Sequence, residues 1–397
     1  MKRKLISSCI MFLTSVICAA GDIPWQFDKW RQAPEIFPAD PALFEFSVPE
    51  DVKPVFYAGA DYQGRPTRVF AWLGIPDNPD GRKLPAMVLV HGGGGSAFAE
   101  WAAYWVRRGY AVIAMDLCSC IPTAGFEGYG IRKGHDFMPG PPDDIFGNNM
   151  PVADRWPYHA AASVMLAHSL LASLPEVDPE KIGLTGISWG GVVACIAAGI
   201  DDRFAFAAPV YGCGFIKEQT ALYGNTPEAV VDEWCSLWDP VLYLPQVKIP
   251  MLFVSGATDH AFALDSWERS AALPEGKVTL SMRPELIHCH RYGIAPEVSA
   301  FADAVLQNRN VLPELQESKI TGDVLHTSWN NAFEITGAEL VYTSEGQKEL
   351  QILEITTDCL QPVITVDIPV NAESGWLNIK TLDGCVFSTP RLYFRKN

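Results

Sequence analysis

Residues 186–191 read Gly-Ile-Ser-Trp-Gly-Gly, and this short stretch decides the fold. The apolar run before it, at residues 181–185, predicts a buried strand, and the small apolar residues 192–200 after it predict a helix. A serine between glycines at a strand-to-helix turn is typical of a nucleophile elbow. The glycines are needed because strand and helix come too close for a Cβ atom. The stretch therefore predicts that Ser188 is a nucleophile presented at the tip of a sheet.

A second glycine-rich loop, at residues 92–95, directly follows an apolar run at residues 85–90 that predicts a central strand buried on both faces. The loop lacks the Gly-Lys-Ser/Thr ending of a phosphate-binding loop and the spacing of a dinucleotide fingerprint. It fits a loop that supplies a backbone N–H to an oxyanion hole, and we assign Gly93 and Trp189 to that role. The alternative is a flexible linker between strand and helix. His91, just before the glycines, is expected to bond within the loop.

Apolar runs and helical patterns alternate on both sides of these loops. Strands are predicted at residues 52–57, 67–75, 85–90, 110–116, 181–185, 204–211, 251–256 and 277–283, and helices at 97–108, 157–174, 192–200 and 296–308. This alternation predicts an α/β fold with a mostly parallel sheet and helices on both faces. The sequence pattern changes at about residue 321, where apolar and polar residues begin to alternate in short segments. This pattern predicts a small all-β sandwich domain over residues 320–397.

Two further side chains fit a catalytic triad with Ser188. A serine hydroxyl becomes nucleophilic when a histidine takes its proton and an acid orients that histidine. Asp259 follows the strand predicted at 251–256, and His288 follows the strand predicted at 277–283. The chain order serine, acid, histidine is the order expected of this kind of hydrolase. We therefore predict Ser188, His288 and Asp259 as nucleophile, base and orienting acid, which need no metal or organic cofactor.

The same loops offer alternatives for the base and the acid. His290 lies two residues beyond His288, which we favour because it comes first after the strand. His260 is a weaker candidate base because it shares the turn of Asp259. Asp265 is a weaker candidate acid because it falls within a predicted helix.

Two long irregular excursions interrupt the regular pattern, at residues 117–156 and 213–246. Both follow strand ends, and we predict that they are lid-like insertions near the site. For residues 117–156 the alternative is an insertion that only covers the surface. The second excursion carries Trp234 and Trp238, which we predict as substrate-binding residues because aromatic faces suit sugar rings and aryl groups. Ordinary packing is the alternative for both tryptophans.

Residues of roughly 50–310 resemble α/β-hydrolases of the acetyl xylan esterase and prolyl-oligopeptidase-like (dipeptidyl aminopeptidase-like) group. The resemblance rests on the glycine loop, the elbow at 186–191, and the loops of Asp259 and His288. It implies an α/β-hydrolase catalytic domain over residues 21–312 and acyl transfer to water, and it leaves the acyl acceptor open. The oligopeptidases of that group carry a β-propeller ahead of the hydrolase domain, and its lack here favours an esterase.

The N-terminus and the charge balance indicate a secreted protein. A basic start at residues 2–4, an apolar run at 5–17 and small residues after it predict a signal peptide over residues 1–20. A lipoprotein site at Cys18 is the alternative, although a bulky Ile17 precedes it. The formal net charge of −16 argues against a nucleic-acid partner, which needs a basic face.

We therefore predict a secreted or periplasmic serine esterase that removes acyl groups, in particular acetyl groups, from carbohydrate. We expect a small-molecule or polysaccharide ester as its substrate and no membrane span in the protein. Its oligomeric state is open. The alternatives are a secreted serine peptidase acting on short peptides and a non-catalytic carbohydrate-binding protein on a hydrolase scaffold.

Overall fold

The computed structural model describes residues 23–126, 130–309, 312–330, 335–346, 349–356 and 362–394. The predicted signal peptide at residues 1–20 lies outside these residues. The strands are β1 (Ile36–Pro38), β2 (Val52–Ala58), β3 (Arg68–Gly74), β4 (Leu84–Val90), β5 (Ala111–Met115), β6 (Cys120–Pro122), β7 (Arg132–Gly134), β8 (Val177–Ile187), β9 (Phe206–Val210), β10 (Met251–Gly256), β11 (Val278–Arg283), β12 (Glu314–Leu315), β13 (Lys319–Thr321), β14 (Val324–Asn330), β15 (Ile335–Ser344), β16 (Gln351–Ile355), β17 (Val363–Asp367), β18 (Ala372–Thr381), β19 (Val386–Ser388) and β20 (Leu392–Tyr393).

The α-helices of the described residues end by residue 307, and all except the first lie between strands. They are α1 (Phe27–Trp30), α2 (Ala99–Arg107), α3 (Trp156–Ser173), α4 (Trp189–Ile200), α5 (Thr220–Tyr223), α6 (Glu228–Trp238), α7 (Leu264–Ala271) and α8 (Pro296–Gln307). Within the described residues, none of these helices is long and apolar enough to span a membrane.

Six neighbouring parallel strands form the centre of the main sheet, in the order β5, β4, β8, β9, β10 and β11. Strand β4 is buried almost throughout, as its continuous apolar run predicts. The antiparallel strands β3, β2 and β1 extend the sheet beyond β5. The predicted α/β-hydrolase fold is confirmed. Because the central strands are parallel, their carboxyl ends lie on the same side of the sheet. The loops after β4, β8, β9, β10 and β11 therefore lie together there.

The C-terminal strands continue the main sheet. Strand β19 pairs antiparallel with β11, with Leu280 opposite Ser388, and β18, β15 and β16 follow in order. A smaller sheet contains β12, β14, β13 and β17. Apolar side chains of both sheets, such as Trp329 and Leu377, share a second hydrophobic core. The antiparallel C-terminal region is confirmed, but its strands cover the edge of the catalytic sheet, and the domain boundary at residue 320 stays a prediction.

Candidate active site

The elbow holds Ser188 between β8 and α4 in a backbone conformation that side chains rarely adopt. Its φ of 53° and ψ of −123° are strained for a residue with a Cβ atom. Its N–H donates to the Val210 carbonyl oxygen at 2.9 Å, which ties the turn to the neighbouring strand. A Cβ atom on Gly186 would clash with the Gly190 carbonyl, and one on Gly190 would lie 2.5 Å from the His91 carbonyl oxygen. The glycines of the motif are therefore required by the close packing of strand and helix.

The structure brings Ser188, His288 and Asp259 into one chain of hydrogen bonds. His288 Nε2 lies 2.9 Å from Ser188 Oγ, and His288 Nδ1 lies 2.7 Å from Asp259 Oδ2. The other oxygen of Asp259 accepts the backbone N–H groups of Ala261 and Phe262 at 2.7 and 2.8 Å. Since the carboxylate can only accept, the proton of the neutral imidazole lies on Nδ1 and leaves the Nε2 lone pair facing the serine hydroxyl. This tautomer is the one that a base for Ser188 requires.

The competing residues have other partners. His260 packs edge-on against the His288 ring, with centroids 5.2 Å apart, and His290 lies against the glycine loop. His290 is buried and packs against Phe98 and Trp101, with ring centroids 5.2 and 6.3 Å away. Burial, followed by the like charges of nearby histidines, lowers the pKa of His290 to about 4. Asp265 is mostly exposed and pairs with Arg269 at 2.9 Å. The structure thus brings His288 and Asp259 to Ser188, and not His290 or Asp265.

The glycine loop after β4 lies against the elbow. A Cβ atom on Gly92 would lie 3.0 Å from Ser188 Cβ, and one on Gly93 would lie 2.6 Å from Trp189 Cδ1. His91 fixes the base of the loop, because its Nδ1–H donates to the Gly92 carbonyl at 2.7 Å and its Nε2 accepts the Leu117 N–H at 3.0 Å. The backbone can approach the serine this closely only because the side chains are absent. The oxyanion-hole role of Gly93 and Trp189 stays a prediction.

Arg132 also supports the loop, and sequence reasoning missed it. Its guanidinium donates to the Gly95 carbonyl oxygen and to the Asp143 carboxylate. Arg132 lies on β7 within the first irregular excursion, so this segment buttresses the glycine loop.

The two excursions meet beside the elbow through an aromatic cluster. The Trp189 ring lies 5.6 Å from Phe146 of the first excursion and 5.7 Å from Trp234 of the second, between ring centroids. Trp234 Nε1 donates to the Ile145 carbonyl at 2.9 Å. Glu233 accepts from Asn148 and forms an ion pair with Arg155, each at 2.8 Å.

The two tryptophans predicted to bind substrate occupy different environments. Trp234 is buried but forms part of the cluster against Trp189. Trp238 is completely buried and packs edge-on against Trp25, with ring centroids 5.8 Å apart. A side chain without exposed surface cannot contact a ligand, so the substrate-binding prediction for Trp238 does not agree with its position in the core.

One group among the described residues has the composition of a metal site. His91, Asp116 and Cys118 are buried, and their ligand atoms lie within 4.8 Å of one another. The Nε2 lone pair of His91 already accepts the Leu117 N–H, and Asp116 Oδ2 accepts the N–H groups of Cys118 and Cys120 at 2.8 and 2.9 Å. Burial raises the pKa of the Cys118 thiol well above its usual range, so the thiol keeps its proton at neutral pH. We assign these residues to loop structure.

Comparisons with known proteins agree with the geometry. A model of the dienelactone hydrolase family matches residues 69–281, more than half of the chain. The structure of an acetyl xylan esterase from Paenibacillus sp. R4 superimposes with a TM-score of 0.52 and 17% identity, over 75% of this chain and 94% of that one.

Two curated relatives are similar in sequence over a little more than half of this chain. An uncharacterized peptidase, YuxL, of Bacillus subtilis (strain 168) is 24% identical over 56% of this chain. The acylamino-acid-releasing enzyme of Rattus norvegicus is 25% identical over 53% of it. The matches cover 32% and 28% of those two proteins, so the chain spans about a third of the length of its curated relatives.

Proposed function

The chain belongs to the dienelactone hydrolase family, and from that membership we propose that it is a serine esterase with Ser188 as its nucleophile. The observation that carries the proposal is the continuous hydrogen-bond chain from Ser188 Oγ through His288 to Asp259. Ser188 Oγ attacks the acyl carbonyl carbon while His288 Nε2 takes the hydroxyl proton. The negative charge that forms on the carbonyl oxygen is held by the N–H groups of Trp189 and Gly93.

The leaving group then departs with the proton from His288, and a covalent acyl-enzyme remains. A water molecule gives its proton to His288 and attacks the acyl carbon, which releases the carboxylic acid and restores Ser188. Asp259 contributes by holding the imidazole in the reactive tautomer and by stabilising its cationic form. Two backbone N–H groups anchor Asp259 in this position.

We propose acyl esters of carbohydrate, in particular acetyl esters, as the substrates. The aromatic cluster beside the elbow supports this class through Phe146, which is half-buried, packs against Trp189 and Trp234, and offers apolar ring surface of the kind that stacks on sugar rings. The Paenibacillus protein that shares the fold is described as an acetyl xylan esterase, and the present chain covers nearly its full length. The basic and apolar residues at positions 1–20 support secretion with cleavage after Ala20.

A serine peptidase is the second candidate function. The observation that favours it is that one curated relative is described as an uncharacterized peptidase and the other as an acylamino-acid-releasing enzyme. The same triad serves both reactions, so only the leaving group distinguishes them: an alcohol in the ester and an amine in the peptide.

A comparison of substrates tests the proposal. The purified protein is assayed with acetylated xylo-oligosaccharides, p-nitrophenyl acetate and aminoacyl-p-nitroanilides, beside its Ser188→Ala variant. We expect kcat/KM to be highest for the acetylated oligosaccharides, and the variant to lose roughly 10⁴-fold or more in kcat. A preference for the anilides would establish the peptidase. Equal turnover by the two proteins would overturn the mechanism, and oligosaccharide binding without turnover would identify a binding protein.

A further inference from the structure

We propose that Tyr211 is a positioning residue that holds the catalytic imidazole of His288 in line between Ser188 and Asp259. The proposal rests on the proposed function and extends it to a residue that acts through its contacts with His288 and the next residue, Cys289. Tyr211 comes directly after β9, the strand next to the one that carries the elbow.

The backbone of Tyr211 is strained and firmly anchored. Its φ of 46° is unusual for a bulky side chain, which the left-handed region disfavours. The N–H of Tyr211 donates to the Val254 carbonyl of β10 at 2.7 Å, and the N–H of Gly212 donates to Val210 at 2.8 Å. Such conformations persist only where the surroundings enforce them, and they concentrate at functional sites. The strain directs the Tyr211 side chain toward the histidine loop.

The side chain of Tyr211 holds that loop at two points. Its ring is completely buried and stacks on the His288 imidazole, with centroids 4.5 Å apart and an interplanar angle of 28°. Its hydroxyl donates to the carbonyl oxygen of Cys289, the next residue, at 2.8 Å. Ring and hydroxyl therefore fix both the plane of the imidazole and the backbone that carries it.

Phe262, on the loop that carries Asp259, makes a second ring contact with His288. Its completely buried ring lies nearly parallel to the imidazole, 9° apart in plane and 6.0 Å between centroids. Its N–H is one of the two backbone donors to Asp259. Two aromatic rings on different strand-end loops thus limit rotation of His288 about its side-chain bonds. The hydrogen bonds to Ser188 and Asp259 restrain the imidazole only within its own plane. The two ring contacts restrain its rotation out of that plane.

A purely structural role for Tyr211 predicts a different outcome from a positioning role. Loss of packing alone lowers the free energy of unfolding and does not specifically lower the rate of serine attack. Loss of position lowers the rate of serine attack and leaves substrate binding unchanged, because misplacement by about 1 Å costs on the order of 10²-fold in rate.

Three variants separate these outcomes. Tyr211→Phe removes the hydroxyl and keeps the ring, and Tyr211→Leu removes both. Tyr57→Phe is the matched control, because Tyr57 is also completely buried and its hydroxyl also donates to a backbone carbonyl, that of Ser163 at 3.0 Å. For each variant we measure kcat and KM on p-nitrophenyl acetate, the rate of inactivation by a fluorophosphonate that reacts with activated serines, and the thermal midpoint.

For Tyr211→Phe we expect kcat to fall about 2- to 10-fold, the equivalent of one net hydrogen bond, with KM unchanged and inactivation slowed by the same factor. For Tyr211→Leu we expect a loss of roughly 10²-fold, which the ring of the phenylalanine variant largely restores. Tyr57→Phe should lower the thermal midpoint and leave kcat and the inactivation rate at wild-type values.

Wild-type kcat and inactivation rate in Tyr211→Phe would overturn the positioning role, as would equal losses of kcat in Tyr211→Phe and Tyr57→Phe. If Tyr211→Leu does not fold, the phenylalanine variant decides. Failure of the proposed function is recognised separately, since Ser188→Ala would then keep its activity and its reaction with the fluorophosphonate.

Discussion

A single methyl group added at Gly190 should move the nucleophile away from the rest of the site. Gly190 lies in the first turn of α4, opposite the end of β4. The Cβ atom of an alanine there would lie 2.5 Å from the His91 carbonyl oxygen, and ordinary contacts begin at 3.4 Å. The atoms that this Cβ would meet, the carbonyl oxygens of Val90 and His91, belong to the backbone, so a change of rotamer cannot relieve the clash. Helix and strand must separate by about 1 Å.

The magnitude of the effect follows from this separation. Overpacking of this kind costs about 1–3 kcal/mol of unfolding free energy. Helix propensity acts in the opposite direction, since alanine is favoured over glycine in a helix by about 1 kcal/mol. The movement also separates Ser188 from the glycine loop that continues from β4, and a misplacement of about 1 Å costs roughly 10²-fold in rate. We therefore expect Gly190→Ala to lower both stability and kcat, the latter by about 10²-fold.

The assay measures urea unfolding and hydrolysis of p-nitrophenyl acetate for Gly190→Ala and for a control, Gly134→Ala. A Cβ atom on Gly134 would have no described heavy atom within 4 Å, so that variant should match the wild type in both measurements. An alanine at position 190 that raises stability and leaves kcat within about twofold of wild type would refute the reasoning, because propensity would then outweigh the clash.

The remaining predictions concern two tryptophans and a buried histidine. Trp234→Ala should raise KM about fivefold in steady-state kinetics, since one aromatic contact is worth about 1 kcal/mol. Trp238→Ala should lower the free energy of unfolding by about 3–5 kcal/mol in urea titrations and leave KM unchanged. Burial lowers the pKa of His168 to about 4. Between pH 6.5 and 4 the unfolded chain therefore binds a proton that the folded chain excludes. The free energy of unfolding thus decreases as the pH is lowered through this range. Relative to wild type, His168→Gln should lose about 2–3 kcal/mol less between pH 7 and pH 4.5 in urea titrations.

The parts of the site that lie next to strand ends were predictable from the sequence. Ser188, Asp259 and His288 each follow a strand of a parallel sheet, so local patterns place them at one edge although they are far apart in the chain. The prediction also separates His288 from His290, which the structure places against Phe98 and Trp101.

Features that depend on long-range packing were not predictable. Trp234 and Trp238 lie one turn apart on α6, and the sequence does not show that Trp238 reaches the N-terminal aromatic residues. The role inferred for Tyr211 depends on a hydrogen bond to Cys289, 78 residues away. The pairing of β19 with β11 is another such contact, because alternation predicts strands but not their neighbours.

The rate at which Ser188 reacts with a fluorophosphonate in His288→Gln tests most directly whether this histidine activates this serine. Mass spectrometry of the labelled wild type should find the adduct on the peptide that contains Ser188. Compared with wild type, we predict that labelling slows by at least about 10³-fold in His288→Gln and remains nearly unchanged in His290→Gln. An adduct on another residue, or a wild-type labelling rate in His288→Gln, would contradict the account.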